Sequence, residues 1–255
     1  MTREFAEYLR PEVKSTPFCA GCGHGILMNH LLRAIKNSGL SIEDMLFVSG
    51  IGCAAWIPSP NFKADTLHTL HGRALAFATG AKLFKPDLKT VVISGDGDLT
   101  SIGGNHLIHA ARRDLDITVI CANNMIYGMT GGQAASTSPL GTISSTTKQG
   151  NPYKPFDLIN LVLGAGAGYA ARFAVTQPYL LIEAITTCLE FKGFSFIEVL
   201  SPCQTQYGRR NAVKSVEPML ESLMTHCVSR EEADLMDEAE RADKIVTGEW
   251  RNGDY

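Results

Sequence analysis

Four short apolar runs punctuate this chain, and each ends at a turn rich in reactive or flexible residues. Leu46-Phe-Val-Ser49, Val91-Val-Ile-Ser94, Ile117-Thr-Val-Ile-Cys121 and the stretch from Phe194 to Leu200 have the length and continuity of strands buried on both faces. Around them, His24 to Lys36, Arg73 to Phe84, Ile102 to Arg113, Phe156 to Leu163 and Pro178 to Phe191 carry helical spacing, the second stopped by Pro86. Apolar strands alternating with helices predict an α/β fold, a doubly wound, mainly parallel sheet with helices on both faces. Ligands of such sheets bind outside the carboxyl ends of the strands. Gly52-Cys53, Gly95-Asp96-Gly97, Asn123-Asn124 and Pro202-Cys203 each follow one of the four strands. Parallel packing is therefore expected to gather residues far apart in sequence at one rim.

Bulk properties narrow the frame. At 255 residues and 45% hydrophobic content, the chain is able to bury a large core, and no linker or low-complexity tract divides it. The expected organisation is one cofactor-binding domain over residues 1–210 and a helical C-terminal tail over 211–255. Within that tail, Arg230 to Arg241 has the charge pattern of an exposed amphipathic helix, solvated or docked on a partner. A net charge of −3 offers no basic footprint for nucleic acid. No apolar run reaches the roughly 18–20 residues that cross a bilayer, and Met1 to Tyr8 lacks the basic start and apolar stretch of a signal peptide. A cytoplasmic protein, off the membrane, is expected.

That compartment changes what seven cysteines mean, because reducing cytosol favours ligands, core residues or catalysts over disulfides. Cys121 and Cys188 lie in apolar runs and read as small core residues. Cys227 sits alone in the tail. Cys19, Cys22, Cys53 and Cys203 all occupy Gly- or Pro-containing turns. Four thiolates suit an iron–sulfur cluster, a zinc ion or a purely structural role, and Cys19-Ala-Gly-Cys22 alone is also compatible with a redox pair. Against zinc ribbons stands the missing second Cys-x-x-Cys pair.

Gly95-Asp96-Gly97, with Asn123-Asn124 after the next strand, resembles the metal–diphosphate motif of thiamine diphosphate enzymes. The chemistry is explicit: a diphosphate needs a divalent cation, and Mg²⁺ wants near-octahedral oxygen ligands. Asp96 offers a carboxylate, Asn124 an amide oxygen and Ile126 a backbone carbonyl. Gly95 and Gly97 permit close backbone approach, and the following helix adds N-terminal amides. The bland alternative is an ordinary strand-end turn.

Six segments in order carry a wider resemblance. Phe18-Cys-Ala-Gly-Cys-Gly-His-Gly25, Gly50-Ile-Gly-Cys53, Thr66-Leu-His-Thr-Leu-His-Gly-Arg73 through Gly80, Gly95-Asp-Gly-Asp98, Gly103-Gly-Asn-His106 and Asn123-Asn-Met-Ile-Tyr-Gly-Met129 through Gln133 are similar to the beta subunits of 2-oxoacid:ferredoxin oxidoreductases. The two-subunit 2-oxoglutarate type is the nearest in pattern. The resemblance runs from about residue 11 to residue 210. It implies a thiamine diphosphate-binding fold of the diphosphate type, holding thiamine diphosphate, Mg²⁺ and one 4Fe–4S cluster. Carried over residue by residue, the cluster ligands are Cys19, Cys22, Cys53 and Cys203, and the Mg²⁺ ligands are Asp96, Asn124 and the Ile126 carbonyl. Ile51, Gly52, Cys53, Ala54, His71, Gly97, Asp98, Gly128 and Met129 are then expected to line the thiamine diphosphate. His71 has an alternative as a cap or surface residue of the helix after it. His24 is weighed between a place near the cofactors and a structural one, while His106 and His109 read as structural.

The implied reaction is oxidative decarboxylation of a 2-oxoacid with coenzyme A to acyl-CoA and CO₂, electrons passing through the cluster to ferredoxin. A carboxylate must face the aminopyrimidine ring in such enzymes, and this chain has room for one doubly wound domain. The activating glutamate is therefore expected on an alpha subunit, in a dimer of heterodimers, with the isolated chain inactive. No Cys-x-x-Cys-x-x-Cys run is present, so one cluster is expected. The loop from Tyr127 to Pro139 is expected to face the substrate entrance, and Arg209 and Arg210 to meet a distal carboxylate, coenzyme A phosphates or solvent. Ala134-Ala-Ser-Thr-Ser-Pro139 departs from the family pattern and leaves pyruvate or a branched-chain 2-oxoacid open beside 2-oxoglutarate. Two other classes stand beside this one: a non-oxidative thiamine-dependent decarboxylase subunit with structural zinc, and a zinc-stabilised binding module.

Overall fold

A computed structural model describes residues 3–213 and 215–253. Its centre is an eight-stranded sheet. The strands are β1 (Met45–Ser49), β2 (Asp65–His68), β3 (Lys89–Gly95), β4 (Ile117–Asn123), β7 (Tyr169–Ala174), β8 (Ser195–Leu200), β9 (Cys227–Ser229) and β10 (Ile245–Arg251), in the order β2-β1-β3-β4-β8-β7-β10-β9. A separate two-stranded ribbon, β5 (Ile126–Tyr127) and β6 (Gln133–Ala134), follows β4. Every pairing from β2 to β7 is parallel, whereas β10 joins β7 antiparallel. The helices are α1 (Gly23–Ser38), α2 (Ala74–Phe84), α3 (Gly104–Arg112), α4 (Leu158–Gly164), α5 (Pro178–Glu190), α6 (Glu217–His226), α7 (Arg230–Leu235) and α8 (Glu238–Arg241).

Strand alternation builds two cores. Phe47, Val91, Ile93, Ile120, Ala122, Ile197 and Val199 point to one face, where Leu27, Leu31 and Ile35 of α1 meet Leu181, Ile185 and Cys188 of α5. Val48, Val92, Val119, Cys121 and Phe196 point the other way, against Leu75 of α2, Leu107 of α3 and Leu158 and Val162 of α4. Successive residues thus bury opposite faces, which is why the central strands read as unbroken apolar runs. The doubly wound expectation holds, and Cys121 and Cys188 are core residues as read.

Departures cluster where packing overrides pattern. β7 (Tyr-Ala-Ala-Arg-Phe-Ala) was not legible as a strand, because alanines and Arg172 hide its buried position. Helix α3 begins at Gly104 instead of Ile102, since Gly97–Ile102 forms a π-helical turn first. The tail is not purely helical: β9 and β10 extend the sheet, and Trp250 packs against the second core. The helix expected over Arg230–Arg241 is split, with Met236 extended. Asp237 then restarts the chain as an N-cap, its carboxylate accepting from the Glu240 amide while Glu240 reaches back to the Asp237 amide.

Core packing makes a direct prediction. Ile120 is fully buried at the centre of the first core. Ile120→Ala is expected to lower stability by about 2–5 kcal/mol in chemical denaturation, through lost burial and a residual cavity.

Candidate functional site

Four adjacent parallel strands, β1, β3, β4 and β8, end at the same edge, and their following turns meet there. One cavity at this edge, of about 50 Å³, is lined by Ile51, Gly52, Cys53, Ala54, His71, Asp96, Gly97, Asp98, Asn124, Ile126, Gly128 and Met129, with His24, Gly95, Tyr127 and Thr130. A second, of about 210 Å³, is walled by Cys19, Cys22, Cys53 and Cys203 together with Pro17, Phe18 and Trp56. His24, Cys53, Asn124, Gly128 and Met129 line both. The structure therefore brings every residue expected at the cofactors to one rim.

Asp98 ties the rim together. Its Oδ1 accepts the Ile51 N–H at 3.2 Å and the Gly72 N–H at 2.7 Å, and its Oδ2 accepts from the Ser94 hydroxyl. His71 Nδ1 lies 2.5 Å from Oδ1, although the ring is not aligned for a hydrogen bond. One buried carboxylate so joins the turn after β1, the loop before α2 and the end of β3. His71 does not cap α2, whose N-cap is Arg73. Gly50 lies hard against this carboxylate, and a Cβ there would fall 1.9 Å from Asp98 Oδ2.

Asp96 is buried in the turn that follows β3. Burial pushes its pKa up to about 7, against the opposing effects of the Thr137 hydroxyl and the backbone amides of Asn124, Asp96 and Gly97. Thr137 Oγ1 donates to Asp96 Oδ2. The Asn124 backbone amide reaches the Asp96 carboxylate, and Asn124 Oδ1 accepts the Ile126 N–H at 3.2 Å. Tyr127 closes the other side, its hydroxyl donating to the Gly97 carbonyl at 2.8 Å. A Cβ on Gly97 would sit 2.6 Å from the Tyr127 ring. A desolvated carboxylate, an amide oxygen and a glycine cradle suit a hydrated divalent cation carrying a diphosphate.

The thiols show the same electrostatic need. Burial pushes Cys22 up to about 12, opposed by a hydrogen bond from the His24 backbone and reinforced by neighbouring Cys203, Cys53 and Cys19. Cys53 is raised by burial and then by Cys203 and Cys19. A Cβ on Gly128 would lie 3.4 Å from Cys203 Sγ and 4.0 Å from Cys53 Sγ, so the ribbon after β4 lies directly over both sulfurs. Four close thiols become thiolates together only around bound cations. The four cysteines line one space, and their thiols are a donor set that suits a metal centre. His24, fully buried, sets Nδ1 3.2 Å from Cys22 Sγ, and burial lowers its pKa to about 4.

Sequence reasoning missed Thr137, Ser138 and Tyr127 as site residues. Thr137 and Ser138 are buried, so the loop read as facing a substrate entrance turns partly inward. Their Ser/Thr-rich context carried no signal for that direction. Arg210 is engaged within the chain, its Nη2 donating to the Gly131 carbonyl at 2.6 Å, while Arg209 is exposed. Among the described residues, no helix is long and apolar enough to cross a membrane.

Comparison with known proteins places this geometry. Residues 50–199 match the family model for the thiamine pyrophosphate enzyme, C-terminal TPP binding domain. The chain is 46% identical to the 2-oxoglutarate synthase subunit KorB of Methanothermobacter marburgensis, over 96% of this chain and 86% of that protein. It is 39% identical to the 2-oxoacid:ferredoxin oxidoreductase subunit beta of Saccharolobus solfataricus, over 76% of this chain and 64% of that one. A solved 2-oxoglutarate:ferredoxin oxidoreductase from Magnetococcus marinus, with 2-oxoglutarate, coenzyme A and succinyl-CoA bound, superposes with a TM-score of 0.84 at 33% identity. The match covers 98% of this chain and 84% of that one.

The Asp98 staple yields a test. Gly50→Ala forces a methyl into the carboxylate, and an overpacked site of this kind costs about 1–3 kcal/mol. A lower melting temperature by calorimetry is expected, with faster amide exchange at Ile51 and Gly72.

Proposed function

This chain belongs to the thiamine pyrophosphate enzymes and, within them, to the beta subunits of 2-oxoacid:ferredoxin oxidoreductases, and on that premise we propose that it acts in the oxidative decarboxylation of 2-oxoglutarate. Coenzyme A takes the acyl group, CO₂ leaves, and ferredoxin receives the electrons. The names of the relatives and the ligands of the Magnetococcus marinus enzyme favour 2-oxoglutarate over pyruvate or branched-chain acids.

The observation that carries this reading is the wall shared by the two cavities, in which Cys53 belongs to both. Thiamine diphosphate, when bound, supplies the electron sink for decarboxylation, and a 4Fe–4S cluster supplies one-electron steps. Asp96, Asn124 and the Ile126 carbonyl hold Mg²⁺, and Gly97 admits the diphosphate close to the backbone. Cys19, Cys22, Cys53 and Cys203 hold the cluster, with Phe18 and Trp56 limiting water around it. Cys53 keeps the path between the two short.

Among the described residues lining the first cavity, the carboxylates are Asp96 and Asp98, and both are already committed. That supports a glutamate supplied by an alpha subunit. Ile51 and Met129 at the cavity, and Leu70 beside His71, are exposed apolar side chains suited to being covered by that partner. A dimer of heterodimers is the assembly this implies.

The cluster and the metal each offer tests of the reading. Co-expressed with its alpha subunit and purified without oxygen, the chain is expected to carry about four iron atoms with acid-labile sulfide. Cys203→Ser is expected to lose iron and ferredoxin reduction while retaining thiamine diphosphate, and a colourless zinc-bearing protein would defeat the cluster assignment. Chelation of Mg²⁺ is expected to release thiamine diphosphate and its return to restore binding. Asp96→Asn is expected to weaken that binding by at least about tenfold in calorimetric titration.

A further inference from the structure

Behind the cavity of Asp96 and Asn124 runs a chain of buried and part-buried polar contacts that the chemistry above leaves unused. Arg172 of β7 and Glu198 of β8 are direct neighbours in the sheet. Arg172 Nε donates to Glu198 Oε2 at 2.7 Å, and Asn123 Nδ2 donates to Glu198 Oε1 at 2.7 Å. Asn123 Oδ1 in turn accepts the Met125 N–H at 2.9 Å. From the opposite side, Ser138 Oγ donates to the Met125 carbonyl at 2.6 Å.

Met125 is the residue so clamped, and its φ of +63° is a left-handed conformation that residues with a Cβ seldom adopt. Such a backbone persists only where its surroundings over-determine it. Its neighbours on either side are Asn124 and Ile126, the residues assigned to the metal. The position of both donors therefore depends on how firmly Met125 is held.

Glu198 is only 3% exposed, on the same face of the sheet as Phe196 of the second core. Stability does not require a charge there, because apolar residues in place of a buried ion pair are often as stable. An apolar pair, however, would leave the Asn123 amide without an acceptor and free the turn. We propose that Glu198, held by Arg172, is a positioning residue for the divalent metal, fixing the Asn123 amide so that left-handed Met125 aims Asn124 and Ile126 at the ion. This role rests on the magnesium site proposed above, and it explains why a charge pair, anchored on its outer side by Asp157, lies under that turn.

The test uses the chain complexed with its alpha subunit and Mn²⁺ as the probe, with free Mn²⁺ followed by paramagnetic resonance in the presence of thiamine diphosphate. Glu198→Met is expected to raise the Mn²⁺ Kd by about 10–100-fold, the cost usual for losing a group that orients a metal ligand. Glu198→Gln still offers Asn123 an oxygen and is expected to fall between Glu198→Met and the unaltered complex. Lys82→Met provides the structural control, since it breaks the 2.9 Å Lys82–Asp116 pair at the opposite, amino-terminal edge of the sheet. It is expected to lower the melting temperature and leave the Mn²⁺ Kd unchanged. An unchanged Kd in Glu198→Met would overturn the assignment. So would a Kd that rises in Lys82→Met as far as in Glu198→Met for the same fall in melting temperature. If the unaltered complex binds no Mn²⁺, the metal site itself falls, and this role falls with it.

Discussion

Parallel registry across β1, β3, β4 and β8 is the constraint on which everything else in this molecule depends. Ser94 lies opposite Cys121, Gly95 opposite Ala122, and Asn123 opposite Leu200. These pairings bring the ends of separate strands level, so the turns that follow meet without any long loop reaching across. A slip of one residue in any strand would exchange its two buried faces and also move its terminal turn out of line. The two apolar cores forbid that slip. Core packing and site geometry are therefore one specification, imposed by alternate residues of the same strands.

At the rim this ordered scaffold meets an electrostatic deficit. Asp96 and the thiols of Cys22 and Cys53 are all pushed toward their protonated forms, chiefly by burial. Groups that ionise with such reluctance gain most when a cation arrives, because metal coordination supplies what water would have given. Asp98 is treated differently by the fold. It is satisfied within the chain by two backbone amides and the Ser94 hydroxyl, so it organises the loops and leaves ligand binding to Asp96. Two acids two residues apart thus take different parts, Asp98 stapling three loops and Asp96, held by Thr137 and nearby amides, standing desolvated beside Asn124.

Much of this was legible in sequence where a signal was local. Continuous apolar runs announced β1, β3, β4 and β8, and the residues after each run announced the rim. β2 was hidden because its short, half-exposed run with polar ends suits an edge strand, and β7 because Arg172 and three alanines disguise a buried position. The tail concealed its strands behind a charge pattern that also fits a surface helix. The site contacts that escaped notice are long-range: Thr137 reaches Asp96 across 41 residues, and Asn123 reaches Glu198 across 75. No spacing rule encodes such meetings, since they exist only after the sheet has set the partners side by side.

The tail's place in the sheet has a consequence for how the molecule is made. β10 supplies the antiparallel neighbour that covers the outer hydrogen-bonding edge of β7, and Trp250 shields the flank of the second core beneath it. Among the described strands, β10 is the last in chain order. Until it emerges, the nascent polypeptide displays an unpaired ladder of amides beside exposed apolar surface, the very features by which strands recruit strangers. Translation that halts short of Ile245 leaves that seam unsewn, and chaperones or proteases are then able to recognise such fragments by one open edge.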